Sequence, residues 1–118
     1  MATIAVSITN IQRGTSKSAW TGFATSGDVG AAAALAGKPD KSVQVLGTFT
    51  GSPTIVIEGS NDGGTTYATL NDATGTALSF TAAGLKSILE HTELIRPRAS
   101  AGTGGASVSV YIVAHGDR

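Results

Sequence analysis

Phe49-Thr50-Gly51-Ser52-Pro53-Thr54-Ile55-Val56-Ile57-Glu58-Gly59-Ser60-Asn61-Asp62-Gly63-Gly64-Thr65-Thr66-Tyr67 reads as strand, tight hairpin, strand. Ile55 and Ile57 alternate with Thr54, Val56 and Glu58 at the two-residue period of a strand. Asn61-Asp62-Gly63-Gly64 then supplies residues that accept the positive φ of a hairpin turn. The stretch makes this an all-β chain, and the patterns on either side extend that reading.

Upstream, Ile4, Val6 and Ile8 alternate with Ala5, Ser7 and Thr9 in a first strand ending at Asn10, and Arg13-Gly14-Thr15-Ser16 reads as a turn. A second strand runs from about Ser18 to Thr25. Its Trp20 and Phe23 fall on opposite faces of an ideal strand, so either both faces are covered or a bulge near Gly22 intervenes. One of these two aromatics is therefore a candidate for a contact outside the core. Asp28 to Gly37 is alanine-rich and has a helix cap in Ser26-Gly27-Asp28, but Gly30 in the first turn favours extended or irregular structure. Lys38-Pro39-Asp40 is a turn. Val43, Val45, Gly47 and Phe49 then line one face of a third strand, whose pattern Leu46 breaks.

Downstream, the hairpin returns through Thr65 to Leu70, and Asn71-Asp72-Ala73-Thr74-Gly75 turns the chain before Leu78 and Phe80. Leu85, Ile88 and Leu89 fit one helical turn or a strand. From Leu94 to Ser100, Ile95, Pro97 and Ala99 share one face and Arg96 and Arg98 the other; Pro97 lacks a donor, which marks an edge strand. Ala101-Gly102-Thr103-Gly104-Gly105 reads as a hairpin loop before Val108, Val110 and Ile112. About eight short antiparallel strands with turns every ~8–12 residues point to one β-sandwich or jelly-roll-like domain over residues 1–118.

A chain of 118 residues suffices for one core but not for two. Charged residues make up 14 %, well under the roughly 25 % of ordinary domains, and eight basic residues balance eight acidic ones. Nucleic acid is not an expected partner, since a phosphate-binding surface needs clustered and uncompensated Lys and Arg. A weakly charged surface rich in small residues loses little on desolvation and suits packing beside neighbours. No run approaches the ~18 apolar residues of a spanning helix, so no membrane partner is expected. The N-terminus has no positive n-region and reads as a mature cytosolic start. Without cysteine there is neither a disulfide framework nor a thiolate metal site.

Few residues suggest chemistry. His91, flanked by Glu90 and Glu93, and His115, followed by Asp117, are the only imidazoles, and no Gly-x-Ser-x-Gly elbow presents a serine to either. Two distant histidines fall short of a zinc site. Asp28, Asp62, Asp72 and Asn71 occupy turns but match no calcium loop. Gly102-Thr103-Gly104-Gly105-Ala106-Ser107 precedes a strand and not a helix, unlike a phosphate loop. No catalytic residue, metal or cofactor is therefore expected, nor any hydrolase or transferase activity. Arg96 and Arg98 either salt-bridge a partner or form a solvated face.

Ser60, Asp62, Gly64, Thr66 and Tyr67 resemble the Asp-box pattern Ser-x-Asp-x-Gly-x-Thr-Trp of sialidases and other β proteins, with tyrosine in place of tryptophan. That resemblance covers eight residues and implies structural roles: Asp62 accepts hydrogen bonds from turn amides and Tyr67 packs beneath the hairpin.

Over its whole length the chain resembles the small β-sandwich decoration, or cement, proteins of tailed bacteriophage capsids. The resemblance rests on Val43-Gln44-Val45-Leu46-Gly47-Thr48-Phe49-Thr50-Gly51, on Ile57-Glu58-Gly59-Ser60-Asn61-Asp62-Gly63-Gly64 and on Ile95-Arg96-Pro97-Arg98-Ala99-Ser100-Ala101-Gly102-Thr103-Gly104. It implies a structural virion protein on the capsid exterior, assembled in the host cytoplasm. Its partner would be the major capsid protein, and it would act as a homo-oligomer, dimer or trimer. Trp20, Phe23, Arg96 and Arg98 are the candidate partner-interface residues. A tail or neck structural protein and a carbohydrate-binding module are the rival readings; the second needs exposed aromatics, for which Trp20, Tyr67 and Tyr111 are available.

Overall fold

The computed structural model describes residues 2–116, and no helix occurs among them. Eleven strands follow in order: β1 (Thr3–Ile4), β2 (Ser7–Gln12), β3 (Thr15–Phe23), β4 (Val29–Gly30), β5 (Asp40–Thr48), β6 (Thr54–Ser60), β7 (Ala68–Thr69), β8 (Ser79–Phe80), β9 (Gly84–Ile88), β10 (Leu94–Ala101) and β11 (Ser107–His115). They form two sheets. The five-stranded one has the order β2-β3-β11-β5-β9, all antiparallel. The six-stranded one has the order β1-β4-β10-β6-β7, with β8 also on β6. β1 and β4 run parallel, and the other pairs in that sheet are antiparallel.

Alternation builds most of the core. β11 turns Val108, Val110, Ile112 and Ala114 inward, with Val43 and Val45 of β5 on one side and Trp20 and Phe23 of β3 on the other. Ile55, Ile57, Ile95 and Ala99 face them from β6 and β10. These side chains belong to a single buried cluster, as expected when two amphipathic sheets meet face to face.

Trp20 and Phe23 both lie in that cluster, fully buried, so neither reaches outward as a partner anchor. The reason is a bulge. Ser109 pairs with Thr21 and Val108 with Phe23, which leaves Gly22 as the extra residue, at φ 99°. One inserted residue restores Phe23 to the face that Trp20 occupies.

The first strand is two strands. The chain leaves the six-stranded sheet after Ile4 and enters the five-stranded sheet at Ser7, so an unbroken alternation spans a change of sheet. The alanine-rich segment is extended, as expected: β4 pairs with β1 and β10, and Ala33 bridges Ile95. The turn before β5 falls earlier, where Lys38 N donates to Leu35 O at 3.0 Å. Leu85 and Ile88 belong to β9, not to a helical turn.

β10 is not an edge, for it lies between β4 and β6. Ile95 N donates to Ala33 O and Ala99 N to Asp28 O, both on the β4 side. Pro97 has the same parity, so its missing donor falls between those two bonds, opposite Gly30. Residues 101–105 likewise do not close a hairpin, because β10 and β11 belong to different sheets. The segment is an arch between sheets, held by Thr103 N to Gly51 O at 3.0 Å and Ser26 N to Gly102 O at 3.3 Å.

Alternation also turns polar groups inward at one end of the five-stranded sheet. Ser16 and Lys41 flank Ala114 in register, with Ser18 one row away. The Oγ atoms of both serines and Lys41 Nζ are buried without a hydrogen-bond partner among the described residues. Burial holds the Lys41 amine below its usual value of 10.5.

A Cβ on Gly30 would sit 2.7 Å from Pro97 Cδ and 2.8 Å from Trp20 Cδ1. Gly30→Ala must therefore displace the tryptophan or the proline ring, at a cost of about 1–3 kcal/mol. Thermal and urea unfolding of the variant check this; an unchanged midpoint would show that the inter-sheet contact is loose.

Candidate functional site

The loop that follows β6 and the outward faces of β6 and β10 carry one connected set of polar groups. The loop is longer than a tight hairpin: Asn61 to Tyr67 separate β6 from the two-residue β7, and the ladder resumes only at Gly59↔Ala68 and Glu58↔Thr69.

Asp62 closes it. Its Oδ1 accepts from the Ser60 hydroxyl at 2.6 Å, from Thr66 N at 2.9 Å and from Thr65 N at 3.1 Å. Ser60 Oγ in turn accepts from Gly64 N at 3.0 Å. These donors, led by the Ser60 hydroxyl and the Thr66 amide, stabilise the carboxylate and lower the Asp62 pKa from 3.8 to about 2. The neighbouring segment locks on as well: Gly63 N donates to Glu93 Oε1 and Glu93 N to Asn61 Oδ1, each at 2.9 Å.

Tyr67 packs under the loop. A Cβ on Gly64 would sit 3.2 Å from its hydroxyl, and Gly64 has φ 93°. Over the ring lies Arg96, with its guanidinium carbon 3.6 Å from the centroid. Arg96 stands directly opposite Glu58 across the β10–β6 ladder, and Arg98 lies two residues further on. Glu58, almost fully buried, accepts from Arg96 Nε at 2.8 Å through one oxygen and from Arg98 Nε at 3.1 Å through the other. Both arginines keep part of their side chains exposed, 25 % and 37 %. A groove of ≈ 330 Å3 beside the loop is lined by Asn61, Asp62, Thr66, Tyr67, Leu70 and Thr92, among others.

The structure thus joins Ser60, Asp62, Gly64, Thr66, Tyr67 and Arg96 into one unit and adds Arg98 through Glu58. Trp20 and Phe23 stay apart from it in the core. Glu58, which ties the two arginines down, escaped the sequence reading. Its signal was present: an acidic residue at an outward position of β6, of opposite charge to two outward positions on β10.

The other polar candidates are dispersed. Asp28 accepts from Ala24 N and Ala2 N, both at 2.9 Å, and from Thr25 N at 3.2 Å; these amides, Ala24 first, lower its pKa. Asp72 accepts from the Thr74 hydroxyl and from Thr74 and Thr76 N. Asn71 is bound to Glu90. His91 is exposed, and His115 Nδ1 lies 2.8 Å from Thr15 Oγ1; Asp117 lies outside the described residues. No group of three or more His, Cys, Asp or Glu among the described residues is placed to hold a metal ion.

The chain matches no protein-family model and no curated protein. Solved structures do share its fold. The SPBc2 prophage-derived protein YomS aligns over 89 % of this chain and 99 % of its own, with a TM-score of 0.58 and 16 % identity. A recombinant oxalate oxidase in complex with glycolate aligns over 94 % of this chain, which spans half of that protein, with a TM-score of 0.50 and 14 % identity. A cupin domain from Bordetella pertussis aligns over 96 % of this chain and 92 % of its own, at a TM-score of 0.41 and 11 % identity. At such identities the likeness is one of fold alone, and the chain's own two sheets make it a β-sandwich.

Two outcomes follow from this geometry. Because the folded-state pKa of Asp62 lies below 3.8, its carboxylate stabilises the fold above about pH 4, and that contribution disappears as pH falls through about 2. Asp62→Asn should lower the thermal midpoint by a few degrees at pH 7, and the gap to wild type should close in acid. Glu58→Ala leaves two arginines facing each other on a half-covered face and should cost roughly 1–3 kcal/mol. Chemical unfolding measures that loss, and adding Arg98→Ala to Glu58→Ala should recover part of it.

Proposed function

We propose that this chain is a structural virion protein that binds the outer surface of an assembled bacteriophage capsid and bridges major capsid protein subunits, without catalysing a reaction. The observation that carries the proposal is the correspondence of nearly the whole chain with nearly the whole of a prophage-derived protein. The whole-length resemblance to decoration proteins supplies the capsid role.

The surface supports a binding role. Glu58, Asp28, Asp62, Asp72 and Glu90 are each committed to arginine, backbone or neighbouring polar groups of the same chain. Fewer free carboxylates remain outside than the composition suggests, so covering the surface desolvates little charge. The arginine face of β10 is what remains of the candidate interface once Trp20 and Phe23 are placed in the core.

The carbohydrate reading has fewer platforms than the sequence offered it. Trp20 is fully buried, Tyr67 lies beneath Arg96, and Tyr111 has Lys17 Nζ 4.2 Å from its ring centre. Sugar stacking requires an open aromatic face; Trp20 offers none, and a cationic side chain lies over each tyrosine ring.

A cement protein works by linkage. A composite site that exists only on the assembled shell stabilises that shell, by about 2.7 kcal/mol per site when free protein stands at a hundredfold excess over Kd. Capsids lacking the protein should assemble yet lose DNA at lower temperature or under osmotic shock, and purified protein added back should restore them. Electron microscopy of gold-labelled protein on virions and on free capsid subunits decides: label on shells and not on subunits is expected, whereas label on tails or necks with bare shells overturns the proposal.

A further inference from the structure

The edges of the two sheets are not protected alike. β1 and β7 end the six-stranded sheet and are two residues each, too short to template another strand. β9, at one end of the other sheet, carries Lys86, whose ammonium lies 4.0 Å from Asp72. β2, at the opposite end, is Ser7-Ile8-Thr9-Asn10-Ile11-Gln12: six residues with no charge and no proline, every one exposed. Long neutral edges are what soluble β proteins ordinarily avoid, because unpaired N–H and C=O groups recruit further strands.

β2 also overhangs the sandwich. Ile8 pairs with Ser18, a buried residue of the core face, so Ile8 lies on the core-facing side; it is nevertheless 52 % exposed. The short β1 packs against β3. Ile11, at the irregularity between Asn10 and Gln12, is 50 % exposed.

We propose that β2 pairs antiparallel with β2 of a second copy of this chain about a two-fold axis, joining the two five-stranded sheets into one. The free backbone groups call for a strand. The strip carries no charge that would select a charged strand and presents Ile8 and Ile11, so it favours a neutral occupant with apolar side chains that forms β structure readily. β2 itself meets both conditions. A two-fold axis perpendicular to the sheet keeps the core-facing sides of both copies together, so the exposed Ile8 side chains share one face. The arrangement also closes, because both copies use the same β2 edge and none is left to recruit a third. One strand edge covers less than the roughly 800 Å2 per partner of a standard interface, so the dimer is expected to be concentration-dependent. The proposal rests on β2 alone and holds whether or not the capsid is the partner; on a capsid the second copy would add avidity.

Sedimentation equilibrium of the wild type should show a monomer–dimer equilibrium, and hydrogen exchange should show β2 amides slowing as concentration rises. Ile8→Lys with Ile11→Lys should stay monomeric at concentrations where the wild type is dimeric, with far-UV circular dichroism and thermal midpoint showing that it folds. Thr9→Cys, near the middle of β2 in a chain without cysteine, should form a disulfide-linked dimer on mild oxidation. If the lysine variant does not fold, the wild-type exchange data and the Thr9→Cys cross-link decide. A monomer at millimolar concentration, a trimer, a dimer whose β2 amides exchange freely, or β2 protection appearing only when capsids are added would each overturn the pairing. Loss of capsid binding with the dimer intact would overturn the capsid reading alone.

Discussion

Trp20 reaches from β3 onto Gly30 and Pro97 of the opposing sheet, and its indole N–H donates to the Ala31 carbonyl at 2.8 Å. Much of the architecture follows from seating this one side chain. The facing strand must carry a residue without a side chain, which is Gly30. The strand beside it must tolerate a gap in its ladder, which Pro97 occupies without a wasted donor. The strand that bears the tryptophan must recover its alternation before Phe23, and the Gly22 bulge does so. A buried aromatic of this size contributes roughly 3–5 kcal/mol, a large share of the stability of a domain this small.

A second theme is the use of carboxylates as internal clamps. Asp28, Asp62 and Asp72 each gather several hydrogen bonds where the chain turns, and in each the donors lower the pKa: the Ala24 amide first for Asp28, the Ser60 hydroxyl for Asp62 and the Thr74 hydroxyl for Asp72. Burial pushes Glu90 upward, but the Asn71 amide and side chain outweigh it and hold this carboxyl low as well. Asp28 binds Ala2 N as well as Ala24 N and Thr25 N, so it fastens the start of the chain to the end of β3. The same device in three loops explains how a chain with 16 glycines holds its turns in place without disulfides.

The fold class was legible because alternation survives in β5, β6, β10 and β11, and because the alanine-rich segment contains a glycine where a helix would suffer most. The Asp62 loop was legible because a turn of that kind depends on adjacent residues. What alternation does not report is which sheet a strand joins. Ile4, Val6 and Ile8 keep their period across a change of sheet, and the glycines at 102, 104 and 105 serve an arch as readily as a hairpin. Pro97 suggested an edge because its missing donor was weighed without the partner strand, whose Gly30 leaves room for the ring. Trp20 and Phe23 left two readings open, covered faces or a bulge, and only three-dimensional register decides between them. Glu58 was passed over because its signal, opposite charges at outward positions of β6 and β10, gains meaning only once the two strands, 38 positions apart, are known to pair.

β11 lies between β3 and β5, so neither half of the five-stranded sheet can join the other until residues 107–115 are in place. Its closing contact, His115 with Thr15, spans 100 positions of sequence. Loop closure of that length precedes any reward from pairing, and sandwiches of such non-local topology fold in milliseconds to seconds, far slower than helical bundles of similar size. During that interval β3 and β5 would present Trp20, Phe23, Val43 and Val45 to solvent. The order of the strands therefore sets a kinetic hazard as well as a shape: the period between synthesis and completion of the central strand is when this chain is most open to association with its own kind in the wrong register.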